Sequence, residues 1–338
     1  MEVTMKVNFS IIFLILNIDV TILDDKNIKT LETKDLYVLD DDNKLVKLDL
    51  SIHNGISFLP HINMSNHVFF RLYTRHTNNT PENLYVDDIS NLRRSHFDPK
   101  KPTKIVTHGW MSSCQNAVCT RIRDAFLKNG DYNIITINWS SISKLTYVRA
   151  IGYTVPIAKY VARMLDFLGS QGLHASNVTI VGHSIGAHIA ALASYYAKNK
   201  VYYVVGLDPA APLYNFFGQK SKLMKGFAEY VEVIHTTKDL GEYNPVGDSD
   251  FYPNGGLVQS GCGIDLGESC SHSRSHEYFA ESINSDRFLA RKCSSYIDYV
   301  FGNCKLNAVA HMGGVTPDFR VKGKYYLYTN PKPPYAKG

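Results

Sequence analysis

The chain has 338 residues, of which 44% are hydrophobic and 20% charged, and its formal net charge is +5. This composition predicts a globular fold and excludes an intrinsically disordered chain. The charge excess is small, and no Lys/Arg-rich helix or zinc-ligand spacing accompanies it, so nucleic acid is not expected as a partner.

The first twenty residues have the features of a secretory signal. Lys6 precedes an almost wholly apolar run at 9–18, which is too short to span a bilayer. We therefore expect residues 1–20 to be a signal peptide and the protein to be secreted to the extracellular space. An uncleaved anchor or a buried segment is the alternative interpretation.

A charged stretch follows. Thirteen of the twenty-six residues at 24–49 are charged. Such a segment buries too little apolar surface to form a core by itself. We expect residues 21–66 to be a solvated N-terminal extension or propeptide, and residues 67–338 to form one large domain.

From residue 68 onward, strand patterns alternate with helical patterns. Strands are predicted at 68–73, 104–107, 134–139, 178–181 and 202–207, and helices at 117–128, at 155–168 and directly after residue 184. Strands separated by helices imply right-handed crossovers. The predicted fold class is α/β, with a mainly parallel central sheet, helices on both faces, and reactive groups at the carboxyl ends of the strands.

A G-x-S-x-G pattern lies between a predicted strand and a predicted helix. It consists of Gly182, His183, Ser184, Ile185 and Gly186. On such a strand-to-helix turn the serine hydroxyl is pushed clear of the backbone, and the flanking glycines let strand and helix approach. An ordinary turn that contains a serine is the alternative. The context favours a nucleophile at Ser184.

A serine hydroxyl becomes a good nucleophile only when a base accepts its proton. In α/β-hydrolases the chain order is serine, acid, histidine. Asp208 ends a strand before Pro209, which cannot continue the ladder, so its carboxylate is expected at the sheet edge. His272 is a candidate base downstream of this acid, next to Cys270 and at the entrance of a predicted helix, and His235 and His276 are rivals that chain order alone does not exclude.

The negative charge that develops during ester cleavage needs preorganised donors. These are typically the backbone N–H after the nucleophile and another from an earlier strand-to-loop junction. Ile185 supplies the first. The second is expected at Trp110, because Gly109 lets the backbone bend at the end of the strand at 104–107. A simple turn at this position is the alternative.

Six cysteines fit an oxidising compartment, because an even count in a secreted chain suggests disulfides. They are Cys114, Cys119, Cys262, Cys270, Cys293 and Cys304. Pairing of sequence neighbours is the simplest connectivity, although the spacing alone leaves other pairings open. The bridge expected between Cys114 and Cys119 is based on their proximity in the chain.

These motifs together resemble the pancreatic-lipase family of secreted α/β-hydrolases, especially its short insect members and the venom phospholipases A1. The matching stretches are THGW at 107–110, GHSIG at 182–186, LDPA at 207–210, DFYPNGG at 250–256 and CSHSR at 270–274. The resemblance covers about residues 67–330. It implies a lipase-type catalytic domain with the α/β-hydrolase fold.

The resemblance also implies roles for individual residues. Ser184 would be the nucleophile, Asp208 the orienting acid and His272 the base. The amides of Trp110 and Ile185 would form the oxyanion hole. Disulfides would join Cys262 to Cys270 and Cys293 to Cys304. No cofactor and no metal are expected.

The chain departs from the vertebrate lipases of this family in two ways. Only eight residues, 331–338, follow the last matching strand, so a C-terminal β-sandwich and dependence on colipase are not expected. The loop closed by Cys262 and Cys270 encloses only seven residues, whereas lipases carry a long lid there. We expect Asp265 and Glu268 to keep the rim of the site polar.

This short loop favours a phospholipase A1 that cleaves the sn-1 acyl ester of phospholipids. A neutral triacylglycerol lipase or general esterase is the alternative, and a non-catalytic binding protein like the yolk proteins is a third. The expected partner is lipid substrate at a membrane or lipoprotein surface. The oligomeric state is left open.

Overall fold

The structure is a computed structural model that describes residues 35–51, 59–77, 79–216 and 218–338. The signal peptide predicted at 1–20 lies outside the described residues. The described chain forms a large sheet with flanking helices and a separate two-stranded hairpin, made by β1 (Tyr37–Leu39) and β2 (Leu45–Lys47).

Eleven strands of the described chain form the large sheet. They are β3 (Phe69–Tyr73), β4 (Glu82–Leu84), β5 (Thr103–Thr107), β6 (Asn133–Asn138), β7 (Val178–His183), β8 (Tyr203–Leu207), β9 (Tyr230–Ile234), β10 (Ser249–Pro253), β11 (Leu289–Lys292), β12 (Val309–His311) and β13 (Gly323–Leu327). The helices are α1 (Ile89–Arg94), α2 (Ala117–Asn129), α3 (Ser140–Ser143), α4 (Tyr147–Gly152), α5 (Thr154–Ser170), α6 (Ile185–Tyr196), α7 (Ser269–Ser282) and α8 (Tyr296–Val300).

The strands lie in the order β12-β11-β13-β10-β9-β8-β7-β5-β6-β3-β4. All pairs from β13 to β6 are parallel, and the pairs at both edges are antiparallel. Every residue of β5, β7 and β8 is buried, as expected for parallel strands covered on both faces. The predicted α/β fold with a mainly parallel sheet is confirmed.

Helices cover both faces of the sheet. On one face α5 packs against α6, and on the other α2 packs against α7. Each face has its own large cluster of buried apolar side chains, one including Ile157 and Ile189 and the other Ile122 and Phe279. The two faces therefore bury separate cores, and the sheet divides them.

The strand order reverses at the centre of the sheet. After β5 the chain adds β6 on one side and then crosses back to place β7 on the other. In open α/β sheets, ligands bind at the carboxyl ends of the strands where the order reverses. The loop after β5 contains Trp110, and the turn after β7 contains Ser184. The topology therefore brings these two segments to one crevice.

The structure pairs Cys262 with Cys270 and Cys293 with Cys304. The bridge expected between Cys114 and Cys119 is not formed, and both residues are buried thiols. Their sulfur atoms lie 3.6 Å apart, well beyond the ~2.0 Å of a disulfide bond. The Cys114 amide donates to Asn138 Oδ1, which ties this end of the loop to β6. Closeness in sequence brings the sulfurs into contact without joining them.

The described residues of the N-terminal extension predicted at 21–66, which are 35–51 and 59–66, include buried apolar side chains. Leu36, Val38 and Leu48 of the hairpin are buried in the same apolar cluster as α5 and α6. The surrounding sequence is so highly charged that its composition does not predict burial of these few apolar residues. They bury apolar surface only by packing against the main domain. None of the helices in the described residues is long and apolar enough to cross a membrane.

A buried carboxyl group on β9 gives the fold a measurable pH dependence. Burial raises the pKa of Glu232 from 4.5 to about 8, although its Oε1 accepts a hydrogen bond from the Gly313 amide at 2.7 Å. Between these values the folded protein holds a proton that the unfolded chain has released. The free energy of unfolding therefore falls as the pH rises through this window.

We expect Glu232→Gln to remove this dependence, because the amide cannot ionise. Between pH 5 and pH 8, the free energy of unfolding of the wild type should fall by roughly 1–4 kcal/mol more than that of the variant. Urea denaturation at both pH values measures the difference. Parallel pH profiles of the two proteins would contradict a protonated Glu232.

Candidate active site

Ser184 occupies a strained turn between β7 and α6. Its backbone angles are φ 58° and ψ −125°, a conformation that residues with a side chain rarely adopt. The turn is tight enough that a Cβ on Gly182 would lie 2.1 Å from the carbonyl oxygen of Gly186. Only glycine at position 182 permits this approach, and the turn presents the serine at the carboxyl end of the sheet.

Asp208 directly follows β8, and its side chain is fully buried. Its Oδ1 accepts hydrogen bonds from the amides of Thr236 at 2.7 Å and Thr237 at 3.1 Å. Its Oδ2 accepts from Thr237 Oγ1 and from His272 Nδ1, both at 2.6 Å. Because a buried carboxylate is costly without donors, these four bonds stabilise its charge and fix its orientation.

His272 lies in the first turn of α7 and points one ring nitrogen at Asp208. With Nδ1 bound to the carboxylate, Nε2 is the nitrogen that can exchange a proton. It is buried and has no hydrogen-bond partner within the described part of the chain. The side chain thus has the tautomer and the open acceptor that a general base for a nearby hydroxyl requires.

His183 connects the base to the serine turn. Its Nε2 donates to the main-chain oxygen of His272 at 3.2 Å, and the two rings are 4.4 Å apart. Burial, together with the neighbouring His272 and His276, holds the pKa of His183 well below its usual range. His183 directly precedes Ser184 in the chain. In its neutral form it supports the His272 backbone without adding a charge to the site.

The two rival histidines have other partners. The His235 ring lies with Nε2 2.9 Å from Asp250 Oδ1 and Nδ1 2.5 Å from the Glu242 carbonyl oxygen, so both nitrogens are engaged. His276 packs edge-on against His183 at 5.3 Å, and burial lowers its pKa to about 3. Among the described hydrogen bonds neither histidine reaches Asp208, which leaves His272 as its partner.

The loop after β5 lies directly against the serine. A Cβ on Gly109 would be 2.7 Å from Ser184 Cβ and 3.3 Å from its Oγ. Within the described residues, the amides of Trp110 and Ile185 donate to no protein acceptor. Two unengaged amides beside a serine are what an oxyanion hole requires.

His108 orients one of these amides, a role that the sequence motif did not reveal. Its Nε2 accepts from the Trp139 amide at 3.2 Å, so the proton is on Nδ1, which donates to the Gly109 carbonyl oxygen at 3.0 Å. Burial lowers the pKa of His108 to about 4, which keeps the ring neutral. Because the Gly109 C=O and the Trp110 N–H share one trans peptide, fixing the carbonyl aims the N–H the opposite way.

Glu268 supports the acid from the loop closed by Cys262 and Cys270. Its Oε2 accepts the amides of Asp239 and Leu240, both at 2.9 Å. These residues belong to the turn that follows Thr237, whose Oγ1 holds Asp208. Glutamates are common on loops, and only the tertiary contacts distinguish this one.

The expectation of a polar rim at this loop is wrong for Glu268, which is buried, while Asp265 is half-buried. Glu268 is buried against the turn, and Asp265 accepts the amides of Cys270 at 2.9 Å and Ser271 at 2.8 Å at the start of α7. Instead, Ile264 and Leu266 are 94% and 62% exposed. Amides at the beginning of α7 bind Asp265 and amides of the neighbouring turn bind Glu268, while the apolar side chains remain outside.

Cys262, Asp265 and Cys270 also form the one cluster of potential metal ligands found among the described residues. The disulfide removes both thiolates, and the Asp265 carboxylate is already occupied by two amides. This cluster therefore does not fit a metal ion.

The parallel sheet, the serine turn after a central strand and the buried carboxylate-histidine pair define an α/β-hydrolase. The family model described as Lipase matches residues 49–335. The chain belongs to this Lipase family.

Several relatives have similar sequences over most of the chain. Pancreatic lipase-related protein 2 of Bos taurus is 31% identical, over 70% of this chain and 55% of its own length. Phospholipase A1 member A of Bos taurus is 31% identical, over 74% and 59% respectively. Lipoprotein lipase of Sus scrofa is 30% identical, over 76% and 62%. The chain thus spans less than two thirds of the length of these relatives.

The orienting role of His108 can be tested with His108→Phe. Phenylalanine retains a ring beside Trp139 but cannot donate to the Gly109 carbonyl, so the Trp110 amide loses its fixed direction. We expect kcat for ester hydrolysis to fall roughly 100-fold with KM little changed, as for loss of one oxyanion donor. A variant that keeps the wild-type kcat, even with a lowered Tm, would contradict the role.

Proposed function

We propose that this protein is a serine ester hydrolase that acts on lipids. Ser184 is the nucleophile, His272 the general base and Asp208 the carboxylate that orients it. The observation that carries the proposal is the 2.6 Å bond from His272 Nδ1 to Asp208, which leaves Nε2 open beside the serine turn. Membership of the Lipase family supports the lipid substrate.

The reaction follows from these positions. Ser184 Oγ attacks the ester carbonyl carbon while its proton passes to His272 Nε2. The amides of Trp110 and Ile185 stabilise the oxyanion. His272 then returns the proton to the departing alcohol oxygen, and an acyl-enzyme remains. Water, activated by the same histidine, hydrolyses the acyl-enzyme and frees the fatty acid.

The proposed substrate is a phospholipid, cleaved at the sn-1 acyl ester. The seven residues between Cys262 and Cys270 are too few to form a broad apolar lid over a charged head group. Burying such a group unpaired would be costly, so a short loop favours phospholipids. The name of one relative, phospholipase A1 member A, agrees with this substrate.

Exposed Ile264 and Leu266 favour a second candidate, a neutral triacylglycerol lipase. Two apolar side chains at the tip of the loop would contribute roughly 1.5–3 kcal/mol each when buried in an uncharged lipid surface. A general esterase on the same catalytic groups belongs with this alternative.

We further propose that the enzyme acts outside the cell, at a membrane or lipoprotein surface. Two disulfides support an oxidising compartment. The Lipase family supports a lipid surface as the place of action.

Ser184→Ala tests the nucleophile. The change removes one hydroxyl, and we expect kcat for ester hydrolysis to fall about 10⁴- to 10⁶-fold with the fold retained. A short p-nitrophenyl ester measures the activity, and circular dichroism checks the fold. Activity within tenfold of the wild type would rule out Ser184 as the nucleophile, whereas a wild type without activity would favour a binding function.

The substrate is tested with phosphatidylcholine and triolein presented to wild type and Ser184→Ala. Phosphatidylcholine with different acyl chains at the two positions identifies the bond that is cleaved, because the lysophospholipid keeps the other chain. We expect release of the sn-1 chain at a higher rate than triolein hydrolysis. Faster triolein turnover would favour the neutral lipase instead.

A further inference from the structure

The N-terminal hairpin, residues 36–48, lies at the candidate active site. Its turn is self-supporting, because Asp40 Oδ1 accepts the amides of Asp42 and Lys44, both at 2.9 Å. Asn43 adopts the left-handed conformation, with φ 59°, that such a turn needs. The two strands pair only with each other and are separate from the large sheet.

One side of the hairpin contacts the loop that precedes the base. A Cβ on Gly267 would lie 2.5 Å from the Tyr37 amide nitrogen, so the strand backbone rests directly on this loop. The strand β1 also contacts α7, whose first turn contains His272. The hairpin thus abuts the segment that carries the base.

The other side of the hairpin is fixed to the segment that follows the oxyanion loop. Asp41 Oδ1 accepts the Ser113 amide at 3.1 Å and Asn116 Nδ2 at 3.2 Å. Asp41 Oδ2 lies 3.3 Å from Lys144 Nζ. Burial opposes ionisation, but these three partners lower the pKa of Asp41, and the carboxylate is charged at neutral pH. Ser113 is three residues from Trp110, so the hairpin bridges both rims of the site.

The two proposed catalytic side chains are buried in this conformation. Ser184 is 5% and His272 3% exposed. Leu36, Val38 and Leu48 face inward and join the buried cluster that includes Trp110. The short loop at 263–269 cannot provide this cover alone, since its apolar side chains point outward.

We propose that the N-terminal hairpin is a gate over the active site and that Asp41 is its latch. The proposal rests on the ester-hydrolase function above and names the regulation of that same site. A two-stranded hairpin is only marginally stable without packing partners, so release of the latch frees it to swing away. A lipid surface offers Leu36, Val38 and Leu48 the apolar surroundings that they lose on opening, and therefore opens the gate.

Asp41→Ala tests the latch, with Asp42→Ala as the matched control. Asp42 is the exposed neighbour in the same turn, so the control makes the same charge change away from Ser113, Asn116 and Lys144. A soluble fluorophosphonate reports access to Ser184 without lipid. We expect Asp41→Ala to be labelled about tenfold faster than the wild type, because bonds to a charged group are lost, and Asp42→Ala to match the wild type.

Phosphatidylcholine vesicles provide the second arm. In their presence the labelling rate of the wild type should rise to that of Asp41→Ala. Trypsin cleavage after Lys44 reports release of the hairpin and should be faster in Asp41→Ala without lipid. If trypsin cleaves Asp41→Ala faster than the wild type but both proteins are labelled at the same rate, the hairpin is not a gate. If trypsin cleaves both at the same rate, Asp41 is not the latch.

Lys144→Ala removes a half-exposed partner of the latch and keeps the inference testable should Asp41→Ala not fold. Its labelling should be about two- to fivefold faster than that of the wild type. A wild-type rate would count against the latch. A different result would refute the proposed function itself: labelling of the wild type and of Ser184→Ala at the same rate.

Discussion

The buried hydrogen bond between Asp208 and His272 is the constraint on which the candidate site depends. A carboxylate without solvent is tolerated only when donors surround it, and here the donors come from segments distant in the chain. The turn at 236–241 must lie next to Asp208 so that its amides can donate to the carboxylate. The helix α7 must begin at a point from which His272 can also reach Asp208. Glu268 binds that turn from the loop before α7, so this one carboxylate connects the turn that supports Asp208 to the helix that carries His272.

The topology of the sheet provides the second half of the arrangement. Because the strand order reverses between β5 and β7, the loop after one strand lies against the turn after the other, and Gly109 meets Ser184. His108 then fixes the peptide that carries the Trp110 amide. The proposed nucleophile and the proposed oxyanion donors are therefore positioned by neighbouring strands, which rigid hydrogen bonding keeps in register.

The rim of the site is where local sequence was a poor guide. Asp265 and Glu268 suggested a polar edge, yet Glu268 is buried against amides of a neighbouring turn, and the half-buried Asp265 binds amides at the start of α7. The charged composition around residues 24–49 suggested a solvated extension, yet Leu36 and Val38 pack against the domain. The partners of Glu268, Leu36 and Val38 belong to segments far away in sequence, so composition and spacing contain no sign of them.

The sequence by itself determined the alternation of the central strands and helices between about residues 68 and 207, the α/β class and the candidate residues Ser184, Asp208 and His272. It could do so because strand and helix periodicity, and a serine turn flanked by glycines, are local properties of the chain. Only the tertiary structure decided that Cys114 and Cys119 remain thiols, that His108 and Glu268 act on the site, and that the N-terminal hairpin lies across it. These features depend on distances between segments, which the fold sets once the two cores are packed.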